Sequence, residues 1–208
     1  DFVGINVLEN QPIKTAAMEG NWKTQPGAPL ILFAIPDEKL EKNHFEIKIP
    51  KLASLINTHS FDGVLPGLDI APPELRPPVK TVFFTFRVMV GIGFLFVFLS
   101  FLGQWAIRKK RLIRHPILLK AYMFSLPLGF VATITGWMTS EIGRQPWVIY
   151  NLLKTKDSVS SLPPEQVLFT LSLITILYFG FFFAYLKFIV KVIKQGPLSH
   201  EQVSGVGY

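Results

Sequence analysis

The sequence predicts an all-α integral membrane protein in which three transmembrane helices follow a segment outside the bilayer. Of its 208 residues, 50% are hydrophobic and only 17% are charged, which is too apolar for an ordinary soluble domain. Three stretches are each long enough to span a bilayer, which takes roughly 20 mostly apolar residues in a helix. Lys and Arg are concentrated after the first and the third of these stretches.

The absence of cysteine limits the cofactor chemistry of the chain. Disulfides, thiolate metal sites, iron–sulfur clusters and covalently attached c-type haem are excluded. Any cofactor would be held non-covalently by His, Met, carboxylate or phenolate groups. The chain begins at Asp1 in the middle of a pattern, without a signal-like segment, so we expect it to be the C-terminal part of a longer protein.

Residues 1–80 form the predicted external segment. NQPIKTAAMEGNW predicts a short helix after Pro12, and the apolar run APLILFAIP and the alternating HFEIKIP predict two extended segments, with a hairpin as one arrangement. The proline-rich LPGLDIAPPELRPP at 65–78 predicts an extended linker, because proline removes helical hydrogen bonds.

The three apolar stretches run from Val82 to Ile107, from Ile117 to Ser140 and from Val167 to Leu186. The chain is divided accordingly into an external loop (1–80), a transmembrane helix (81–107), a basic cytoplasmic loop (108–116), a second transmembrane helix (117–141), an external loop (142–165), a third transmembrane helix (166–194) and a cytoplasmic tail (195–208).

Charge orients these helices, since short loops rich in Lys and Arg stay on the cytoplasmic side. The connection RKKRLIRH at 108–115 carries five positive charges and no negative one. Residues 1–80 hold eight positive and ten negative side chains. The net charge of +7 therefore follows from topology, and it gives no reason to expect nucleic-acid binding.

Charged residues at the end of the second span need a partner or a function. In GWMTSEIGRQPW, Trp137, Glu141 and Arg144 stand at i, i+4 and i+7 on one helical face, and Gly143 leaves room for another group at the backbone. One interpretation is a helix-end ion pair with interfacial Trp anchors. The other is that Glu141 binds a metal or a proton and Arg144 neutralises an anionic partner.

The first span carries Arg87 and Met89 about two turns in from its outer end, and Met89 lies about 12 Å below Thr81 at about 1.5 Å per residue. An arginine at that depth needs an anionic or polar partner, and haem propionates fit this need. Methionine in a transmembrane helix usually packs, and only the neighbouring Arg suggests thioether ligation of iron.

Histidine is absent from the spans, so the chain alone has no buried bis-histidine haem site; the four histidines are His44, His59, His115 and His200. In the external segment, Lys14 and Glu19 are five residues apart, which is not a salt-bridge spacing. Taken alone, they are interpreted as two solvated charges.

Three blocks in this order, QPIKTAAMEGNW, FRVMVGIGF and GWMTSEIGRQPW, resemble subunit I of cytochrome bd-type quinol oxidases. The resemblance covers the whole chain but only the C-terminal part of the family's subunit. It implies that Lys14 and Glu19 take part in quinol oxidation, and that Met89 ligates the iron of a low-spin b-type haem with Arg87 beside it. Glu141 is implied to ligate the iron of a high-spin b-type haem.

The resemblance further implies that Arg144 supports the haem cluster and that Trp137 lies between haems. The implied activity is ubiquinol or menaquinol oxidation coupled to O2 reduction, which charges a bacterial or archaeal cytoplasmic membrane without pumping. Loop 1–80 would lie on the periplasmic side. The implied partners are the N-terminal half of subunit I, subunit II, small single-helix subunits and membrane lipid.

Two departures accompany the resemblance. The family's histidine ligands are missing, so the chain alone lacks part of the haem ligands. The brief stretch between HFEIKIP and FRVM resembles short-loop members, and GRQPWVIYNLLKT resembles most the cyanide-insensitive branch. The resemblance therefore implies either haem d or a further b-type haem as the third haem. The alternative function is a non-redox transport module in which Arg87, Glu141 and Arg144 form an ion pathway.

Overall fold

A computed structural model describes residues 2–109 and 115–196. Most of the predicted basic loop and the predicted tail beyond residue 196 lie outside the described residues. The chain divides into one unit of residues 1–159 and a second of residues 160–208. The described helices are α1 (Phe2–Asn10), α2 (Pro12–Glu19), α3 (Leu52–Thr58), α4 (Val79–Arg108), α5 (Pro116–Ile142) and α6 (Pro164–Gln195).

The predicted fold class is confirmed, because α4, α5 and α6 are each long and apolar enough to cross a membrane. Sheet is minor in the described residues. It consists of three antiparallel pairs, β1 with β4, β2 with β3 and β5 with β6. Their bounds are β1 (Gln25–Pro26), β2 (Leu30–Asp37), β3 (Lys42–Ile49), β4 (Val64–Leu65), β5 (Trp147–Ile149) and β6 (Leu153–Lys154).

The predicted short helix after Pro12 is confirmed as α2. Proline suits the first helical position because its missing N–H would be unpaired there. The helix ends at Gly20, whose φ of +69° is the left-handed conformation that favours glycine. Gly20 also permits close packing, since a Cβ there would lie 2.8 Å from the Phe83 ring of α4.

The hairpin is present as β2 and β3, but its pairing is irregular. The register shifts twice, and Phe45 adopts a positive φ of 54°. The alternating apolar side chains of HFEIKIP therefore do not form a buried face, and Phe45 is 80% exposed.

The proline-rich segment 65–78 is packed, so the prediction of an extended linker is wrong. It forms two 3-10 turns, Leu68–Ile70 and Pro73–Leu75. Leu68 is fully buried and joins the core cluster that contains Ile13 and Ala17 of α2. Burial of these apolar side chains stabilises the packed conformation, whereas the prolines alone predicted an extended one.

Helices α4 and α5 are antiparallel neighbours that meet through small and hydroxyl-bearing residues. Near one end, the Thr139 hydroxyl donates to the Thr85 hydroxyl at 2.9 Å. Toward the other end, the Tyr122 hydroxyl donates to the Leu99 carbonyl at 2.6 Å and lies over Gly103, which has no side chain to block it. Such contacts are typical of helix pairs in membranes. We call the end that holds Thr85 and Thr139 the loop end of the pair.

Helix α6 belongs to the second unit and is described by itself. None of its described side chains is buried within this chain. A 32-residue helix that is apolar on all sides is typical of a segment surrounded by lipid or by other helices.

Candidate functional site

The candidate site is centred on α2, which packs against the loop end of α4 and α5. Ile13 and Ala17 of α2 share a core cluster with Val79 and Val82 at the start of α4. Ile142, the last residue of α5, packs on the same cluster. A helix of eight residues thereby contacts both membrane helices at once.

Lys14 extends from α2 to the end of α5. Its ammonium group donates to the Ser140 carbonyl at 3.2 Å. The lysine stem passes over Gly143, where a Cβ would lie 3.2 Å from Cγ and 3.4 Å from Cε. The sequence predicted that Gly143 leaves room for another group, and the structure identifies that group as Lys14.

The charges around Lys14 lower its pKa. Burial is the largest cause, the positive charge of Arg144 acts in the same direction, and Glu141 opposes both. Glu141 and Arg144 themselves form an ion pair with side chains 46% and 40% exposed. The helix-end ion pair considered from the sequence is therefore present, and both of its members remain accessible.

Glu19 is buried, being only 8% exposed, so the interpretation of Lys14 and Glu19 as two solvated charges is wrong. Burial raises the Glu19 pKa, while the charge of Arg87 and a hydrogen bond from Asn57 counteract part of that rise. Its Oε2 has no hydrogen-bond partner within the described residues. A buried carboxyl of this kind is suited to taking up and releasing a proton.

Arg87 links α4 to α2 and β2 through hydrogen bonds. Its Nε and Nη2 both donate to the Ile31 carbonyl, at 3.0 and 2.5 Å. Its Nη1 donates to the carbonyls of Met18 and Phe83, at 2.5 and 3.3 Å, and Nη2 also donates to that of Glu19 at 3.4 Å. The guanidinium lies 3.4 Å above the Phe83 ring. The polar partner predicted for Arg87 is thus a set of main-chain carbonyls.

Met89 lies at the contact between α4 and α5, opposite Gly136, which precedes Trp137. A Cβ at Gly136 would lie 2.8 Å from the Met89 sulfur, so the thioether packs directly on the backbone beside Trp137. The Trp137 side chain is 66% exposed in this chain. Within the described residues, no group of three or more His, Cys, Asp and Glu could hold a metal ion.

The depths of Met89 and Glu141 follow from the bond between Thr85 and Thr139. Met89 is four residues along α4 from Thr85, and Glu141 is two residues beyond Thr139 on the antiparallel α5. At about 1.5 Å per residue, the two candidate iron ligands differ by roughly 9 Å in depth along the pair. Both lie near the loop end.

Tyr150 is a site residue that the sequence analysis missed. Its hydroxyl hydrogen-bonds the backbone of Ile13, the residue before Lys14, and burial raises its pKa. Tyr150 packs on Trp147, with ring centroids 6.1 Å apart. The aromatic residues after GRQP were the only signal, and they do not specify which helix Tyr150 contacts.

Comparison with known proteins gives a consistent result. The family model described as cytochrome bd terminal oxidase subunit I matches residues 1–197. The cytochrome bd ubiquinol oxidase subunit 1 of Bacillus subtilis (strain 168) is 32% identical over 92% of this chain and 43% of its own length. The cytochrome bd-II ubiquinol oxidase subunit 1 of Escherichia coli (strain K12) is 29% identical over 95% of this chain and 51% of its own.

A solved structure agrees with these sequence matches. The bd oxidase from Geobacillus thermodenitrificans matches with a TM-score of 0.71 and 29% identity, over 94% of this chain and 45% of that one. This chain therefore spans about half the length of the relatives that it matches.

The fold and the site define a helical membrane protein with a thioether, a carboxylate and two arginines at one end of a helix pair. The chain belongs to the cytochrome bd terminal oxidase subunit I family. The transport module considered from the sequence is not supported by the comparisons.

Proposed function

We propose that this chain supplies the quinol-oxidising segment and two haem ligands of a terminal respiratory oxidase that transfers electrons from quinol to O2. The observation that carries the proposal is the placement of α2. Lys14 contacts the residue before Glu141, and the Glu19 end of α2 is held by Arg87, two residues before Met89. The candidate quinol-oxidising residues thus contact both helices that carry the candidate iron ligands.

The proposed quinol site uses Lys14 and Glu19 in different roles. Lys14, whose pKa is lowered, donates a hydrogen bond to a quinol oxygen without the full cost of desolvating a strong cation. Glu19, whose pKa is raised, accepts the proton of the quinol hydroxyl. Tyr150, which is bonded next to Lys14, is proposed to fix the position of that end of α2.

The donor set fits haem iron in two respects. Met89 is partly exposed, with its sulfur beside Gly136 of α5, and Glu141 is accessible at the end of α5. A thioether suits a low-spin iron and a carboxylate oxygen suits a high-spin one. We propose Met89 for the low-spin b-type haem and Glu141 for the high-spin b-type haem, with the third haem being haem d or a further b-type haem.

The two arginines differ in how available their charged groups are to a haem. Arg144 is 40% exposed and paired only with Glu141 among the described residues, so its charge is available to haem carboxylates. All five N–H groups of Arg87 already face main-chain carbonyls, so its contribution to a haem would be its charge beside Met89. Trp137, with its largely exposed ring, is proposed to lie between haems.

When bound, haem supplies the one-electron steps that separate quinol oxidation from O2 reduction. The chain's own residues would bind and deprotonate quinol and would hold iron through Met89 and Glu141. Residues 1–80 are proposed to lie on the periplasmic side. The remaining ligands would come from the N-terminal half of subunit I, and subunit II and small single-helix subunits are the proposed partners.

Reduced-minus-oxidised spectra of the complete oxidase test this proposal. Glu141→Ala should remove the high-spin b signal, whereas Met89→Leu should disturb only the low-spin one. Glu165→Ala and Met123→Leu, which change the same residue types elsewhere on α6 and α5, are the matched controls. Haem bands that stay the same in all four variants would refute the ligand assignments, and a parent protein without haem bands would refute the oxidase.

A further inference from the structure

Three buried oxygen atoms on one face of α2 have no hydrogen-bond partner within the described residues. They are Gln11 Oε1, Thr15 Oγ1 and Glu19 Oε2. Gln11 is the N-cap residue of α2, and the three positions follow each other at i, i+4 and i+8. Thr15 is 3% exposed and Glu19 8%, so this chain alone encloses these two side chains, whereas Gln11 is partly exposed.

Their spacing matches a chain of water molecules. Residues four apart on a helix are separated by about 6 Å along its axis. One water that bonds to two oxygen atoms spans roughly 5.6 Å, twice an ordinary O–H···O distance. Buried polar atoms without protein partners are usually satisfied by such waters.

The chemistry of the three groups suits proton transfer. Burial favours the protonated form of Glu19, while the charge of Arg87 on α4 and the Asn57 side chain on α3 favour the carboxylate, so Glu19 can both take up and release a proton. The Thr15 hydroxyl both donates and accepts a hydrogen bond, and the Gln11 amide does so through its two ends. Beyond Gln11 the chain reaches the surface, where Glu9 and Asn10 at the end of α1 are exposed.

We propose that Gln11, Thr15 and Glu19, joined by water, form the route by which protons from quinol leave the site toward the corner between α1 and α2. The proposal rests on the proposed function, in which Glu19 receives those protons. Quinol loses two protons and two electrons. The electrons pass to the haems of the oxidase, the protons pass one at a time through Glu19, and the carboxylate returns to its starting state after each transfer.

Thr15 is a positioning residue in this route because it acts through Glu19 and does not contact quinol. Replacing it by Val removes the hydroxyl at nearly constant volume. The buried hydroxyl has no protein partner among the described residues, so its loss removes no hydrogen bond to them and should cost little thermal stability. A merely structural role for Thr15 would not affect proton release.

The test uses the complete oxidase in proteoliposomes, with a pH-sensitive dye on the outside and anaerobic stopped-flow mixing with quinol. Thr15→Val should slow proton release and quinol-driven haem reduction by about 100-fold, the lower end of general acid–base effects. The KM for quinol and the haem spectrum should be unchanged, and the rate ratio between H2O and D2O should rise. Thr15→Ser should recover most of the lost rate, and Thr170→Val on α6 is the remote control.

Proton release at the parent rate in Thr15→Val would overturn the proposal. If that variant loses its haem spectrum, Gln11→Leu replaces it with the same expectation and the same refuting result. Failure of the proposed function is distinguishable, because then the parent oxidase itself would show no quinol-driven haem reduction.

Discussion

Gly136→Ala is expected to change the low-spin haem without destabilising the protein. The added Cβ would lie 2.8 Å from the Met89 sulfur and 3.6 Å from its Cγ, whereas ordinary contact begins at 3.4 Å. The sulfur must therefore move by several tenths of an ångström. Methionine has three rotatable bonds, so this movement costs less than the typical overpacking penalty of about 1–3 kcal/mol.

The replacement of glycine in a helix also gives a gain. Alanine is favoured over glycine by roughly 0.5–1 kcal/mol in helix interiors, which offsets the strain at Met89. The apparent stability of Gly136→Ala should therefore stay within about 1 kcal/mol of the parent. The gain in helix stability does not restore the proposed distance between the Met89 sulfur and the haem iron. The visible band of the low-spin haem should therefore shift, and its midpoint potential should change.

Gly129→Ala is the matched control for this prediction. Gly129 lies two turns earlier on α5, and no other described side chain or remote backbone comes within 4 Å of its added Cβ. This variant should gain helix stability and keep the parent spectrum. Redox titration of the complete oxidase with optical detection measures both variants. A Gly136→Ala spectrum that coincides with those of the parent and Gly129→Ala would refute the assignment of Met89 as an iron ligand.

Three further predictions concern the segment and its contacts. Thr139→Val should lower the free energy of unfolding by about 1 kcal/mol, because it removes the hydroxyl bond between the two helices. Thr133→Val should lower it less, because the Thr133 hydroxyl bonds the Gly129 carbonyl of its own helix. The Glu19 pKa is raised in the folded protein, so the folded state binds a proton more tightly than the unfolded state. The parent should therefore gain stability as pH falls through that raised pKa toward 4.5. Glu19→Gln should abolish this pH dependence and should also lower quinol turnover. Thermal unfolding over a pH series and steady-state oxidation measure these effects, and an identical pH profile in Glu19→Gln would contradict them. Gly67→Ala should destabilise the segment before α4, because its Cβ would approach the Thr24 nitrogen to 2.5 Å and a backbone atom cannot move aside as a flexible side chain can. Limited proteolysis of this segment should become faster, and cleavage at the parent rate would contradict the prediction.

The helices were predictable from the sequence because their signals are local. A run of apolar residues long enough for the bilayer specifies α4, α5 and α6 without reference to the rest of the chain. Pro12 and Gly20 likewise mark the two ends of α2 within the segment itself.

The burial of Glu19 was not predictable, because the groups that enclose it are distant in sequence. Asn57 comes from α3, and Arg87 comes from α4. The packed turns around Leu68 were missed for the same reason, since their core partners lie in α2. The Arg87 contacts were predicted as a need for polar partners, but only tertiary structure identifies the carbonyl of Ile31.

The spacing of five between Lys14 and Glu19 has a geometric explanation in the structure. Five residues turn a helix by about 140°, so the two side chains leave α2 on different sides. Lys14 then reaches the carbonyl of Ser140, next to Glu141 on α5, while the Glu19 end is held by Arg87, two residues before Met89 on α4. A four-residue spacing would have paired the two charges with each other and left one membrane helix without its contact. One short helix thus joins the proposed quinol residues to both proposed iron ligands, so a shift of α2 on quinol binding would be felt at Met89 and Glu141 together.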